Sequence, residues 1–376
     1  MLVLDVQSSV VMGALVRLSG SPTPEVIFSY QCPIPYRAET DANYLIKTAL
    51  KSVAETVETA LKYLHAAHAI KAATVPKHIS SVHYILSSPW ILSEAKTLNL
   101  TFPKNTLVTR AYILAMIDKE SAAIMTHTKG QYAIIEQKIS DVRLNGYSIA
   151  AWEKKEAREL GVSFVVSIAG RRMSDLFIQA CAQVVSHRHV SFHSSLVMQH
   201  IGIRLVMPGR ASYTLIDIHG ELTDLTIVKE QSCVFFATLP VGCNSVVRNV
   251  AAGAHTDVEA AQSLINLYMT KMLENGNLDA GGRLVAAAGA EWAGGLKKVV
   301  DNSAFAGRIP LPVVVPDVSH ADYFAASFDA AFGSSPVEKL SLDSLASVVT
   351  FGRDAERTYH IALDAAAINS LCNDGR

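Results

Sequence analysis

Two short segments, far apart in the chain, share one pattern: an apolar strand, an aspartate, a polar turn and a second apolar strand. The first begins at Leu2 with LVLDVQSS, and the second begins at Tyr213 with YTLIDIHGELTDLTIV. Each pattern predicts a β-hairpin with a tight turn. A single hairpin is common, but two with an aspartate at the same place indicate a duplicated fold. We expect the two Asp-tipped loops to hold a phosphate chain between them.

The length and composition indicate a globular protein of two or three domains, or of two large halves. The chain has 376 residues, of which 50% are hydrophobic and 18% are charged, so it can bury sizeable cores. Its formal net charge is -1. Such a balance provides no electrostatic field that would attract nucleic acid or acidic lipid, so we expect no nucleic-acid partner.

The same sequence predicts a cytoplasmic protein without direct membrane insertion. No apolar run reaches the roughly eighteen residues that a membrane-spanning helix needs. The N-terminus lacks the basic region of a signal peptide, and Asp5 interrupts its apolar run. The five cysteines are odd in number and widely spaced, without a CxxC motif, which is typical of reduced thiols in a cytosol.

The apolar periodicity predicts three successive regions. Residues 1–36 are predicted as a three-stranded antiparallel meander, 42–73 as a helix and 81–86 as a strand. Residues 91–187 are predicted as a separate unit: a strand near 96–102, a helix near 109–125, paired strands near 131–151, a strand at 162–168 and a helix at 172–186. The dipeptide Asn145-Gly146 predicts the turn between the paired strands.

The remaining residues begin with a predicted strand near 189–193 and a helix near 194–204, before the second Asp hairpin. A strand from 234, a turn at 240–242 and helices near 244–253 and 257–274 follow. Next we predict a short strand at 284–288, a small-residue turn and a helix near 292–301. The tail from 336 is predicted to hold a strand near 346–351 and a helix near 359–371.

The residue types in these turns suit a nucleoside triphosphate with magnesium, which needs backbone N–H groups and carboxylates. Asp5 and Asp217 suit coordination of Mg²⁺, directly or through water. The small-residue turn after 288 suits a nucleoside. Taken singly, each turn is more often an ordinary connection, and only their combination favours a binding site. The predicted nucleotide-binding residues are Asp5, Ser8, Ser9, Asp217, Gly220, Thr223 and Gly289.

The order of these features resembles the actin-like ATPases, whose fold is shared with sugar kinases and heat-shock chaperones. The blocks 138–147 and 162–168 are similar to the extra subdomain of the bacterial branch that contains the division protein FtsA and the pilus-assembly protein PilM. Residues 239–251 and 255–261 are similar to the same branch. The resemblance spans roughly residues 1–330.

This resemblance implies an α/β fold: a two-domain actin-like fold with ribonuclease H-like halves and an inserted α+β subdomain. The first actin-like domain would comprise residues 1–90, 188–212 and 336–376. The inserted subdomain would comprise 91–187, and the second actin-like domain 213–335. ATP and Mg²⁺ are the cofactors that the family implies.

Several positions depart from the family pattern. Family members usually have glycine where this chain has Gln7 and His219, and an imidazole at the second position would crowd a phosphate. Val247 and Asn249 stand where a threonine and an aspartate are usual, which removes a candidate for orienting the attacking water. We therefore expect weak nucleotide binding or none, and at most a weak ATPase.

The C-terminal segment favours the PilM-like role over the FtsA-like one. FtsA-like proteins end in a basic amphipathic helix, whereas here Asp364 and Asp374 outweigh Arg376, so binding to anionic lipid would be poor. We expect a helix packed on the first domain instead. A PilM-like protein would be peripheral to the inner membrane, held by the short cytoplasmic tail of a PilN-like membrane partner. The groove for that tail would lie between the first domain and the inserted unit.

The leading interpretation is a cytoplasmic actin-like scaffold of an envelope machine, for type IV pilus or secretion assembly. One alternative is an FtsA-like division protein that self-associates into filaments. Another is a small-molecule kinase of the same fold, which would need a catalytic aspartate that the sequence does not place. The histidines near 187–193 favour a solvated strand end over a metal site, because no acidic or cysteine partner stands at ligand spacing.

Overall fold

The computed structural model describes residues 1–18, 23–35, 37, 41–69, 76, 78–126, 128, 130–186, 189–273, 280–307, 309, 313–316, 320–333 and 337–374. The N-terminal elements are β1 (Leu2–Val6), β2 (Val10–Arg17), β3 (Glu25–Pro33), α1 (Ala42–Ala69) and β4 (Val82–Leu86). Strands β1, β2 and β3 form the predicted antiparallel meander, and β4 lies parallel to β1. Helix α1 buries Val53, Val57 and Leu64 on one face, as the helical spacing predicts.

The next region forms a sheet of its own. Its elements are β5 (Ile91–Val108), α2 (Arg110–Thr126), β6 (Tyr132–Leu144), β7 (Tyr147–Ser148), β8 (Lys155–Gly170) and α3 (Arg171–Ala180). The strand order is β5-β8-β6-β7, with antiparallel neighbours throughout. Asn145 and Gly146 join β6 to β7 with φ angles of 52° and 86°. This left-handed pair confirms the predicted tight turn.

The central elements agree with the predicted order. They are β9 (Val190–Ser194), α4 (Ser195–Val206), β10 (Tyr213–Ile218), β11 (Thr223–Lys229), β12 (Ser232–Leu239), α5 (Cys243–Ala254) and α6 (Val258–Leu273). Strands β10, β11 and β12 form a second antiparallel meander. The second Asp hairpin is therefore β10–β11. Of the histidines near 187–193, His187 lies outside the described residues.

One predicted segment is wrong. The last elements are α7 (Ala280–Asp301), β13 (Val313–Pro316), α8 (Ala321–Phe332), β14 (Val337–Leu340), β15 (Thr350–Asp354) and α9 (Tyr359–Asp374). Residues 284–288 belong to α7, so there is neither a strand nor a turn at Gly289. Val285, Gly289, Trp292 and Leu296 are buried at helical spacing. A short apolar run of this kind fits a buried helix as well as a strand.

Two sheets repeat one topology. The first has the strand order β15-β3-β2-β1-β4-β9, and the second has the order β12-β11-β10-β13-β14. In each, an antiparallel meander is followed by two parallel strands on the far side of its first strand. The predicted α/β fold with two related halves is confirmed by this duplication. The exact domain boundaries stay a prediction.

Helices α4 and α9 join the two sheets in one hydrophobic cluster. This cluster includes Val3 of β1, Met198 of α4, Leu215 of β10 and Leu363 of α9. The two helices pack closely at Gly202, where an added Cβ would lie 2.7 Å from Leu363 Cδ2. The predicted C-terminal helix is thus buried against the first sheet and α4. None of the helices in the described ranges is long and apolar enough to span a membrane.

Candidate functional site

The turns of the two Asp hairpins are closed by their own backbone. The Gln7 N–H donates to the Val10 carbonyl at 3.0 Å, and the His219 N–H donates to the Leu222 carbonyl at 2.9 Å. Strands β1 and β10 end at these turns, with β4 parallel to β1 and β13 parallel to β10. The carboxyl ends of parallel strands are where α/β folds place ligands.

The two turns contact each other directly. The Glu221 backbone N–H donates to Ser8 Oγ at 3.1 Å. An added Cβ on Gly220 would lie 2.8 Å from Ser9 Oγ and 2.9 Å from Asn244 Nδ2, so only glycine permits this approach.

A chain of polar contacts connects the two predicted magnesium ligands. Gln7 Nε2 donates to Asp5 Oδ2 at 2.9 Å, and Gln7 Oε1 lies 3.2 Å from His219 Nδ1. His219 Nε2 in turn lies 3.2 Å from Asp217 Oδ2. The structure therefore brings Asp5 and Asp217 into one buried cluster, with Gln7 and His219 between them.

A third carboxylate, that of Asp224 on β11, lies on the other side of His219. Its Oδ2 is 3.4 Å from His219 Nε2. Its Oδ1 accepts hydrogen bonds from Ser88 Oγ at 2.7 Å and from Thr238 Oγ1 at 2.6 Å. These bonds connect the turn after β4 to β11 and β12, and therefore tie the two halves together.

Helices α4 and α9 complete the cluster. His360 Nε2 of α9 lies 3.2 Å from Asp217 Oδ1, and Gln199 Nε2 of α4 donates to Asp217 Oδ2. Asp364 follows His360 by one helical turn and is 2% exposed. Four carboxyl groups and two imidazoles thus lie in one interior region.

The electrostatics of the cluster favour a charged imidazole. Although burial lowers the pKa of His219, the carboxylates of Asp217 and Asp224 outweigh it and raise that pKa to about 9. Burial raises the pKa of Asp217, but His219 and His360 more than compensate and hold it well below its ordinary value. Burial, with the nearby carboxylates, raises the pKa of Asp364 far above its ordinary value. Buried Asp5 likewise has a raised pKa, chiefly through desolvation.

The start of α5 packs onto the second turn. The Cys243 and Asn244 N–H groups donate to the carbonyls of His219 and Gly220 at 2.9 Å and 2.7 Å. Gly242 permits this contact, since a Cβ there would lie 2.6 Å from the Gly220 carbonyl oxygen. The first amides of α5, which could otherwise bind an anion, are already hydrogen-bonded.

Two of the predicted site residues lie away from the turns. The Thr223 hydroxyl donates to the Val241 carbonyl at 2.7 Å and accepts from Trp292 Nε1 at 3.0 Å, so it faces the interior of the second half. Gly289 lies within α7, where an added Cβ would be 2.9 Å from Tyr323 Oη. Its small size permits α8 to pack closely. Asp5, Ser8, Ser9, Asp217 and Gly220 are the predicted residues that the structure brings together.

A cleft of about 800 Å³ opens beside these residues. Ser9, His219 and Gly220 line it, and so does His320, which stands just before α8. Strand β13 runs parallel to β10 and is followed by α8.

Several groups around the turns that could bind a triphosphate chain with Mg²⁺ already contact other groups of the protein. Such a ligand needs free backbone N–H groups and carboxylate oxygens around a gap. The N–H groups of Glu221, Cys243 and Asn244 already have partners. The His219 imidazole lies between the carboxylates of Asp217 and Asp224, where a cation would otherwise sit.

The duplicated sheets, the two central helices and the cleft between paired hairpins define an actin-like ATPase fold. Over 100% of this chain and 98% of the other, it is similar to the solved structure titled PilM-PilN type IV pilus biogenesis complex, with a TM-score of 0.62 and 11% identity. At that identity the likeness shows the fold alone. The sequence matches no protein-family model, and no curated protein sequence matches it.

Two further solved structures are similar to this chain at lower TM-scores. One is the ethanolamine utilization protein EutJ from Carboxydothermus hydrogenoformans, with a TM-score of 0.45, 10% identity, and coverage of 97% of this chain and 88% of the other. The second is the activator of 2-hydroxyisocaproyl-CoA dehydratase from Clostridium difficile with bound ADPNP, with a TM-score of 0.43, 10% identity, and coverage of 100% and 98%. Neither likeness is strong enough to bear on function.

Sequence reasoning missed part of the cluster. Gln199, Asp224, His360 and Asp364 were not predicted as site residues, and all four are at most 8% exposed. Asp224 follows the second turn, so its position near a predicted loop was an available signal. His360 and Asp364 are one helical turn apart in a segment already predicted as helix, but nothing local indicated which loop they would face.

Proposed function

We propose that this chain is a PilM-like scaffold that holds the short cytoplasmic tail of a PilN-like membrane protein. The likeness in fold to a solved PilM–PilN complex, over the whole length of this chain, is the observation that carries the proposal. In this proposal the protein lies at the inner face of a membrane, where the partner holds it, and no part of this chain inserts into the membrane. The role would be in pilus or secretion assembly, with the division of the chain into two actin-like domains and an inserted unit as predicted.

A groove of about 680 Å³ supports this proposal, because it lies where the inserted sheet meets the first half. Residues 133–138 of β6 form one wall, and 190–193 of β9 form another. Arg171 and Ile178 of α3 and Leu371 of α9 also line it. The groove therefore has apolar and charged groups, which suits a peptide better than a small metabolite.

Both strands that face this groove are edges. In the described part of the chain, residues 132–139 of β6 pair only with β8, and β9 pairs only with β4. The Ser194 N–H donates to Glu136 Oε2 at 3.2 Å, so the two edges approach each other at one end. An extended peptide can add its backbone to such an edge and place alternate side chains in the groove.

The groove is tested with a fluorescein-labelled peptide that carries the cytoplasmic tail of a PilN-type protein from the same organism. Fluorescence anisotropy measures its affinity for the wild-type protein. Ala133→Trp places a large ring in the groove and is expected to weaken binding at least tenfold. Ala122→Trp, on the exposed face of α2, is the matched control and is expected to bind like the wild type. Equal affinity of all three proteins would contradict the proposed groove.

We further propose that ATP binding is lost or weak. Two contacts support this proposal: His219 with Asp217, and the Glu221 N–H with Ser8. A triphosphate would have to displace the His219 imidazole and separate Ser8 from Glu221. Isothermal titration with Mg-ATP is expected to give no heat at micromolar concentrations. Micromolar binding would contradict the loss of nucleotide and would leave the scaffold role in place. Pelleting with nucleotide tests the filament alternative, which predicts sedimenting polymer.

A further inference from the structure

Three potential metal ligands converge in the interior between the two halves. They are Asp217 at the end of β10, His219 in the turn after it and His360 on α9. One ligand atom from each lies within 4.8 Å of the others, and all three side chains are buried. They come from parts of the chain that are distant in sequence, so the fold itself assembles them.

The Nε2 atom of His219 faces two carboxylates at once. Its Nε2 lies 3.2 Å from Asp217 and 3.4 Å from Asp224, yet it has no contact with hydrogen-bond geometry among the described residues. A hydrogen-bond donor points at one acceptor, whereas metal ligands point at a common centre. The nitrogen is completely enclosed, since the side chain is 0% exposed.

Gln7 fixes which nitrogen of His219 faces this centre. Because Gln7 Nε2 donates to Asp5, Gln7 Oε1 is the atom that faces His219 Nδ1, at 3.2 Å. An amide oxygen only accepts, so Nδ1 carries a proton and donates it. Nε2 is then the nitrogen available for a metal. An outer hydrogen bond of this kind is the usual partner of a metal-bound histidine.

The three ligand atoms lie within 4.8 Å of one another, close enough for a small shift of the side chains to form a tetrahedral site. Bonds of about 2.0–2.1 Å to zinc, at tetrahedral angles, place neighbouring ligand atoms about 3.3 Å apart. His219 Nε2 lies 3.2 Å from Asp217 Oδ2, and His360 Nε2 lies 3.2 Å from the other oxygen, Oδ1, so each histidine contacts its own oxygen of one carboxylate. Two imidazoles and one carboxylate favour zinc over magnesium, which prefers oxygen ligands.

The buried aspartates around His219 and His360 also favour binding of a cation. Asp5, Asp217, Asp224 and Asp364 are each at most 2% exposed. Asp5 Oδ1 and Asp364 Oδ2 have no hydrogen-bond partner in the described ranges. The four carboxyl groups outnumber the two imidazoles, and a dication bound by Asp217 would add positive charge to this acid-rich interior.

We propose that Asp217, His219 and His360 bind one Zn²⁺ ion that joins the turn after β10 to helix α9. The three bonds form to a carboxylate oxygen of Asp217 and to the Nε2 atoms of both histidines. In the metal-free protein, His219 Nε2 and His360 Nε2 each carry a proton that faces the Asp217 carboxylate; both Nε2 protons are released to solvent when the two Zn–N bonds form. Water from the adjoining cleft fills the fourth position. The ion joins the two halves beside the cleft that Ser9, His219 and Gly220 line.

The test uses full-length protein that has been stripped with a chelator and then dialysed. Zinc chloride is titrated calorimetrically, and bound metal is counted by mass spectrometry after desalting. The wild type is expected to bind one equivalent. H219Q and H360Q are each expected to weaken Zn²⁺ binding at least tenfold. H200Q is the matched control, because His200 is also buried but bonds to Tyr213 at 2.8 Å, outside the cluster; it is expected to keep full affinity.

A wild-type protein that retains no stoichiometric zinc overturns the proposal, and so do H219Q and H360Q variants with unchanged affinity. Should either variant fail to fold, X-ray absorption of the wild-type zinc complex decides: two imidazole nitrogens at about 2.0–2.1 Å support the site, and any other donor set refutes it. This result is independent of the tail-binding groove, so failure of one does not affect the other.

Discussion

Replacing His219 with alanine removes the cationic side chain that separates two buried carboxylates. His219 lies 3.2 Å from Asp217 and 3.4 Å from Asp224, with none of these side chains exposed. With an effective dielectric constant near 20, each contact is worth about 5 kcal/mol in Coulomb energy. Desolvation offsets much of this, and removing one partner of a buried ion pair costs about 3–5 kcal/mol overall. We expect H219A to lose that much free energy of unfolding.

The measurement is urea unfolding followed by circular dichroism, with a chelator present so that no metal contributes. H200A is the control, because it removes an equally large buried imidazole that is hydrogen-bonded to Tyr213 and has no carboxylate partner. The control should lose about 1–3 kcal/mol, the cost of one unsatisfied buried group. A loss in H219A no greater than in H200A would refute the ion-pair reasoning.

A double-mutant cycle sharpens this prediction. D217N removes one carboxylate that faces His219, so the H219A/D217N protein should be more stable than the sum of the single losses implies. For groups in direct contact we expect a coupling energy of about 1–3 kcal/mol. Additive losses would mean that Asp217 and His219 act independently despite their 3.2 Å separation.

Three further predictions concern other buried positions. Burial lowers the pKa of His200 to about 4, so the unfolded chain takes up a proton first as the pH falls below about 6.5. His83 contributes in the same window, so the prediction concerns the difference between two proteins: towards pH 4 the wild type should lose about 3 kcal/mol more stability than H200Q, measured by urea unfolding at both pH values. Gly242→Ala places a methyl group 2.6 Å from the Gly220 carbonyl oxygen, and should cost about 1–3 kcal/mol, whereas a neutral result would mean that the turn moves freely. Trp292→Phe removes the 3.0 Å hydrogen bond to Thr223 and should cost about 1–2 kcal/mol by thermal unfolding, with unchanged stability counting against that bond.

The hairpins were predictable because their signals are local. Alternating apolar residues around 1–36 and again from Tyr213 dictate strands with one periodicity, and the turn residues fix where the chain reverses. Asn145-Gly146 has the backbone freedom that a two-residue turn needs, and the structure shows that turn. The repeat of one topology then followed from the repeat of the pattern.

The region around Gly289 was not predictable in the same way. Residues 284–288 form a short apolar run between small residues, which fits a strand as well as a buried helix. The burial of Trp292 and Leu296, further along the same face, shows that the helical periodicity continues through the glycine. A longer sequence window, from Val285 to Leu296, contains this helical periodicity and would have predicted the helix.

The composition of the buried cluster depends on tertiary structure. Asp217 and His360 are far apart in sequence, and their 3.2 Å contact follows from the packing of α9 against α4 and β1. No local pattern specifies such a pairing. The substitution of glycine by His219 could be seen in the sequence, but the carboxylates that it contacts could be identified only in the folded chain.

The position of α9 in the chain has a consequence for biosynthesis. His360 and Asp364 reach the cluster from this helix, which follows β1, β4 and β10 in the order of translation. While α9 is still inside the ribosome, Asp5 and Asp217 can lie in a partly assembled interior that water can enter. Closure of the acidic interior, and with it the joining of the two halves, is therefore a late event that awaits emergence of this helix.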